Sequence, residues 1–385
     1  MRGHFNLRCK ITSNPPNRTI WFVIYTLWFA DAAFCILKHP TSVKNHLHFR
    51  IFPQNPCTIQ INALSLHRQS SPSLLTMLKS CEAFYFMKYN KEYSSPSELI
   101  SILQSRGLDC SDIDNAIDIL SSIGYYRLSG YFYPFLLTPK SEHIFKPGST
   151  LENALMLYEF DRELRQLVFN QIERIEVAVR SAIVNIACAE TNDVFWLTNR
   201  THFANADKFE KTMSLIDKEL QTSREDFITH FKQTYEDPYP PTWMIAEIIP
   251  LGTLTRIYDN IASNRIRKKI AKHFCLTIPV FMSWMTVVTL TRNSCCHHAR
   301  LWNRSLSLRT LTMTRPLTPW ISNNVRQGRI FFTLCILKHF VDIIWRNNEF
   351  KNNLIALLDK YPMIDIRAMG FPSGNWQDEP LWSSR

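Results

Sequence analysis

The stretch Arg292-Asn293-Ser294-Cys295-Cys296-His297-His298-Ala299-Arg300-Leu301-Trp302-Asn303-Arg304 gathers three arginines, two asparagines and an adjacent histidine pair into thirteen residues. The run before it, 280–290, is apolar, with Phe281, Trp284, Val287 and Val288 at helical spacing. That spacing predicts a buried helix from whose end the polar cluster emerges. Polar groups in such a place need a partner or a task, because one left buried and unpaired costs ~1–3 kcal/mol.

The same period recurs upstream. Leu164, Leu167, Val168, Ile172, Ile175, Val179, Ile183 and Ile186 predict a long helix that Asp161 caps and that runs to about Cys188, after a shorter one over 151–158. Its charged face (Arg162, Arg165, Glu173, Arg174, Glu176, Arg180) is expected to be solvated, with Glu176 and Arg180 as an i,i+4 pair. The alternative is that one or two of these residues line a cleft facing Arg292. Ser95 before Pro96 and Glu98 predicts the cap of a short helix, Ser111 the cap of the next, and Gly124 its end.

Downstream, helices are expected near 207–222, 224–235, 244–261 (broken at Pro250-Leu251-Gly252), 265–273, 331–345 and 354–361. The aromatic tail 369–382 should dock. With only 9 glycines in 385 residues, this pattern predicts an all-α chain: a helical bundle with a small N-terminal helical cap.

Charge separates a first fifth from the rest. Residues 1–81 hold nine basic residues and one acidic one, leaving 35 basic against 32 acidic in the remainder of a chain whose net charge is +11. The basic pI is thus a property of that first part and does not make the body a nucleic-acid binder. The expected organisation is an unstructured or spurious extension over 1–86 with a functional start at Met87, a cap over 87–135 and a helical domain over 136–385. The apolar segment 20–37 is the alternative, as a membrane anchor, but Asp31 inside a spanning helix costs ~2.5–3.5 kcal/mol. The 10 cysteines form no CxxC pair, so reduced thiols are expected. With them go a cytoplasmic location and no stable membrane association.

Three stretches carry candidate chemistry. The short helices over 95–124 have helix-turn-helix spacing, but Asp112, Asp114 and Asp118 give the second one the wrong sign for a DNA groove. The Tyr and Phe rings of 125–135, around Arg127, either stack bases or form a packed aromatic corner, and the packed corner is the expectation. In the opening cluster, Arg292 and His297 are five residues apart, which on a helix is ~140° around the axis, while Asn293 and His297 share a face. A neutral histidine can take a proton from a ribose 2′-OH, and a fixed arginine can neutralise the resulting phosphorane. Competing readings are an ordinary basic helix end, and a zinc site at Cys295, Cys296, His297 and His298. Four contiguous ligands cannot surround one tetrahedral ion, so no metal and no cofactor are expected.

Five separated stretches decide among these. GYYRLSGYFYPF (124–135), YEFDRELRQLVFNQIERIEVAVRSAI (158–183), PTWMIAEIIPLG (241–252), the opening cluster and MGFPSGNW (369–376) resemble, in order and spacing, the Abi-like family of bacterial abortive-infection proteins. The likeness is to the AbiD and AbiF proteins, of the HEPN superfamily, and it runs from about residue 88 to 382. It implies an all-α, HEPN-like bundle, usually homodimeric, with an R-x4-6-H ribonuclease motif acting in phage defence. Carried onto this sequence, Arg292 and His297 match the motif ends, Asn293 the polar residue after the arginine, and His298 the second histidine. Arg300, Arg304 and Arg127 are the expected RNA contacts. The expected partners are RNA and a second copy, with a partner RNA or antitoxin as further candidates. Cys296 stands where the family has a small alanine. Many HEPN proteins bind RNA without cutting it, so a non-catalytic RNA-binding module is the alternative.

Overall fold

A computed structural model describes residues 91–306, 310–322 and 325–383, and the backbone of 46–52 and 55–60. The chain divides into two units, 1–93 and 94–385. In the first, strand β1 (His46–Phe52) pairs antiparallel with β2 (Asn55–Gln60), with an irregularity between Arg50 and Phe52. The apolar segment 20–37 and the start at Met87 lie outside the described residues.

The second unit is α-helical. It begins with α1 (Pro96–Ser105), α2 (Ile113–Ile123) and α3 (Tyr125–Phe132). Ser95 and Glu98 form a reciprocal capping box at α1. At α2 the cap is Asp112, not Ser111: its carboxylate accepts the Asn115 N–H at 3.0 Å. Ile100, Leu103, Leu120, Leu128 and Phe132 close a small core with Leu151 and Ala154 of the next helix.

That helix, α4 (Leu151–Thr191), is 41 residues long, ~60 Å at 1.5 Å per residue. Thr150 caps it, accepting the Asn153 N–H at 3.2 Å. The expected break before Asp161 is absent, and Asp161 lies fully buried in the helix interior. Its carboxylate serves distant donors rather than the first turn. The row Leu164, Val168, Ile172, Ile175, Val179 and Ile183 is buried as the 3–4 spacing requires. Arg165 and Arg180, expected in solvent, are buried too.

The chain continues through α5 (Ala206–Thr222), α6 (Asp226–Thr234), α7 (Thr242–Ile248), α8 (Leu251–Asn260), α9 (Asn264–His273), α10 (Ile278–Cys296), α11 (Ile330–Ile344) and α12 (Phe350–Lys360), of which α7 to α12 pack on α4 and α5 packs on α7 and α8. Helix α11 is buried on nearly every side. The tail, ending in the short α13 (Pro380–Ser383), docks on it: Phe331 meets Phe371 with centroids 4.3 Å apart and Trp382 at 6.1 Å. Gly370 (φ +92°) allows this, because a side chain there would collide with Arg329.

Among the described residues no single helix is long and apolar enough to cross a membrane. One bent pair, α9 with α10 at 63°, passes by length and composition. The apolar residues of α10 (Val280, Phe281, Trp284, Val287 and Val288) are buried in the protein core.

Candidate active site

Helix α10 delivers the cluster as its spacing predicts: a buried helix whose last turn becomes polar. The chain then leaves it through a tight C-terminal turn. The His298 N–H donates to the Cys295 carbonyl at 3.0 Å and the Ala299 N–H to the Ser294 carbonyl at 2.8 Å, the paired bonds of a Schellman motif. His298 occupies the left-handed position (φ 53°) that glycine normally takes. A side chain in that conformation costs ~1–2 kcal/mol. The turn swings both histidines outward, and His297 and His298 are exposed, as is Asn293. No side-chain hydrogen bond ties any of the three among the described residues.

Arg292 points the other way. Its Nε lies 3.8 Å from a Glu176 carboxylate oxygen on α4 and is buried without a hydrogen bond. The other oxygen of Glu176 accepts from Arg180 at 2.9 Å, and Arg180 also donates to the Ile249 carbonyl at 3.0 Å. Of the charged residues on α4, Glu176 is the one that faces Arg292. Arg292 and His297 therefore sit on different sides of the helix end, ~7.5 Å apart along its axis.

Beneath the turn lies a buried carboxylate that the sequence reading misassigned. Asp161 accepts from the backbone N–H of Leu301 at 3.0 Å and of Trp302 at 2.5 Å, from the Tyr131 hydroxyl at 2.7 Å, and from Arg165. Burial pushes its carboxyl above the ordinary range, against the pull of the Tyr131, Trp302, Arg165 and Leu301 donors. One side chain thus binds α3, α4 and the segment after the histidines. Burial also pushes the Cys295 thiol to about 12, which keeps it protonated and unreactive.

The three arginines expected to contact RNA lie around the same turn, each already giving one N–H to the protein. Arg127 donates to the His298 carbonyl at 2.7 Å, Arg300 to the Gly130 carbonyl, and Arg304 to the Ser294 hydroxyl at 3.0 Å. The six described cysteines are free thiols. Among the described residues no three His, Cys, Asp or Glu side chains gather as metal ligands. A cavity of about 500 Å³ between α4 and α12, lined by Arg162, Glu163 and Lys360 among others, shares no residue with the cluster.

Averaging charge over the whole body hid a second signal. Between Asp259 and Asp342 the chain has no acidic residue: 82 consecutive residues carry thirteen Lys and Arg. The rest of 82–385 holds 22 basic against 32 acidic residues. Arg265 and Lys269 pair with Glu190, Arg292 with Glu176 and Lys338 with Asp342. Arg267, Lys268, Lys272, Arg300, Arg304, Arg315, Arg326 and Arg329 have no carboxylate within ion-pair distance among the described residues. The opening cluster lies inside this acid-free span.

Residues 118–303 match the family model for Abi-like proteins. Over that span the chain is similar to the Abi-like family. The matched span starts inside α2, takes in the Asp161 junction and ends on the segment that Asp161 anchors, so the elements that assemble the histidine turn are the ones the family shares. The tail motif at 369–376, which also carried the resemblance, lies beyond it. The Abi-like likeness suggests abortive infection, a phage-defence response. No curated protein and no solved structure matched the chain.

Proposed function

We propose that this Abi-like protein is an HEPN-type endoribonuclease that cuts RNA without a metal, by attack of a ribose 2′-OH on the adjacent phosphorus. His297 takes the 2′-OH proton as O2′ bonds to phosphorus. Arg292 neutralises the pentacoordinate intermediate, and the P–O5′ bond breaks. A second imidazole, His298 or the His297 of another copy, gives O5′ its proton. The products are a 2′,3′-cyclic phosphate and a 5′-hydroxyl end. Asn293 and His298 position the phosphate.

The observation that carries this is an exposed, unpartnered histidine pair projecting from a span of 82 residues without one carboxylate. Uncompensated positive charge of that extent favours a polyanion, and the histidines supply the acid–base chemistry RNA cleavage needs. Within one chain Arg292 and His297 diverge around the helix end. The complete site is therefore proposed to form where two copies meet, each arginine serving the partner's histidine.

The deciding experiment incubates the purified protein and its His297→Ala variant with total RNA in EDTA. Cleavage leaving cyclic-phosphate ends, reduced ~10²–10⁴-fold in the variant, is the expected result. Cleavage that needs an added metal, or that survives His297→Ala, would overturn it. A second reading has its own observation: Arg292 is already engaged by Glu176 on the side away from the histidines. That favours an RNA-binding defence module without turnover, whose signature is equal RNA affinity in both proteins and no cleavage in either.

A further inference from the structure

The aromatic stretch after Gly124 splits by burial. Tyr131 and Phe132 are core residues, as a packed corner requires, but Tyr126 is 93% exposed and Tyr133 56% exposed. An exposed tyrosine by itself means little. Here the position is informative. Tyr126, Gly130 and Tyr133 are i, i+4 and i+7 and so form one stripe on α3. Tyr133 keeps helical angles (φ −51°, ψ −40°), so the stripe is continuous, with its two rings ~10 Å apart along the axis.

Cations occupy the space around and between them. The Arg300 guanidinium donates to the Gly130 carbonyl, and a Cβ on residue 130 would sit 3.4 Å from it. Arg127 reaches the His298 carbonyl at 2.7 Å. Lys140 stands over the Tyr133 ring, 5.4 Å from its centroid. From Ile119 to Ser141 there is no acidic residue. The Tyr126 ring has no aromatic or cationic partner among the described residues. The stripe thus runs ring, cation, ring, and is tied by Arg127 to the turn that carries His297 and His298.

We propose that this stripe is a stacking track for single-stranded RNA, with Tyr126 and Tyr133 taking unpaired bases and Arg127, Arg300 and Lys140 following the backbone toward the histidines. The inference rests on RNA being the ligand of the histidine turn, and it narrows the substrate class to unpaired strands. A-form duplexes keep their base faces stacked inside, where a tyrosine ring cannot reach them. Flat rings beside a basic path are what sequence-tolerant single-strand binding uses.

The test measures binding to a fluorescein-labelled unstructured RNA and to the same RNA annealed to its complement, by anisotropy, with the full chain. All binding variants carry His297→Ala so that the RNA stays intact. Tyr126→Ala and Tyr133→Ala are each expected to weaken single-strand binding roughly tenfold, Tyr126→Phe to retain it, and duplex to bind more weakly and indifferently to all three. Equal affinity for both RNAs, an unchanged Tyr126→Ala, a Tyr126→Phe as weak as the alanine, or no RNA binding would each overturn the proposal. The outcomes separate it from catalysis. Ring-dependent binding without cleavage by wild type keeps the track and removes the ribonuclease. Cleavage with Tyr126→Ala binding normally does the reverse.

Discussion

The Asp161 junction and the His297–His298 turn are built from neighbouring stretches of the same motif, yet they treat polar groups in opposite ways. At the junction four donors are committed to one acceptor: Tyr131, Arg165, Leu301 and Trp302 converge on one buried carboxylate. At the turn the imidazoles are exposed and uncommitted, and the backbone beneath them is held in the left-handed conformation at His298. The first arrangement fixes geometry, and the second leaves chemistry available. Asp161→Ala tests this most severely. It strands Arg165 and two backbone N–H groups in the core, so a stability loss of ~3–5 kcal/mol is expected. His297→Ala should stay within ~0.5 kcal/mol of wild type. Urea unfolding of both variants checks it, and comparable losses would erase the distinction.

Histidines extend the contrast. His339 on α11 is buried, its Nε2 2.9 Å from the Phe274 carbonyl and its Nδ1 3.2 Å from the Thr318 hydroxyl. A carbonyl can only accept, so Nε2 carries the proton and Nδ1 accepts. Burial pushes this imidazole from 6.5 down to about 4. The unfolded chain then binds a proton near pH 6.5 that the folded one refuses until about pH 4. Stability is fully present above pH 6.5 and falls as pH drops through that window, by about 3 kcal/mol at its foot. His339→Gln should flatten that limb of a stability–pH profile. An unchanged limb would assign the acid sensitivity elsewhere.

The docked tail offers a milder test of what is fixed. At Gly370 a methyl group meets Arg329 Cβ inside contact distance, in a backbone conformation that side chains avoid. Gly370→Ala should cost about 2 kcal/mol, visible as a lowered midpoint with an unchanged m-value. A neutral result would mean that the tail is free to shift off α11.

Much of the fold was legible because apolar spacing is local. The row from Leu164 to Ile183, the run before the cluster and the capping box at Ser95 all rest on residues within a few turns. Asp161 was misread for the same reason. An aspartate ahead of an apolar row resembles a cap, while the donors that employ it lie 30 and 140 residues away at Tyr131 and Leu301. Arg180 was placed in solvent because its acceptor, the Ile249 carbonyl, is 69 residues distant. In the site, the residue types were visible, and the five-residue spacing already set Arg292 and His297 ~140° apart. A Schellman turn is announced by glycine, and here a histidine fills that place, so nothing local told that the chain would turn there and expose both imidazoles. The acid-free span was in plain view and was lost by summing charge over the whole body.

The smallest expected effect separates two roles of Arg127. It gives one N–H to the His298 carbonyl and is otherwise exposed. Arg127→Gln removes a charge-assisted bond at the surface, worth ~1 kcal/mol of stability at most. If Arg127 serves mainly as a phosphate contact, the variant binds RNA more weakly on every sequence and the slope of log affinity against log salt falls by about one. If it serves to hold the strained His298 turn, the slope is unchanged and the cleavage rate at saturating RNA falls instead. Arg127 lies on the proposed RNA path and also supports the turn, so both effects are expected, and the loss of rate is the larger because the donated bond lies on the residue whose backbone is under strain. A lowered salt slope with an unaltered rate would leave Arg127 on the RNA path and remove it from the turn's support.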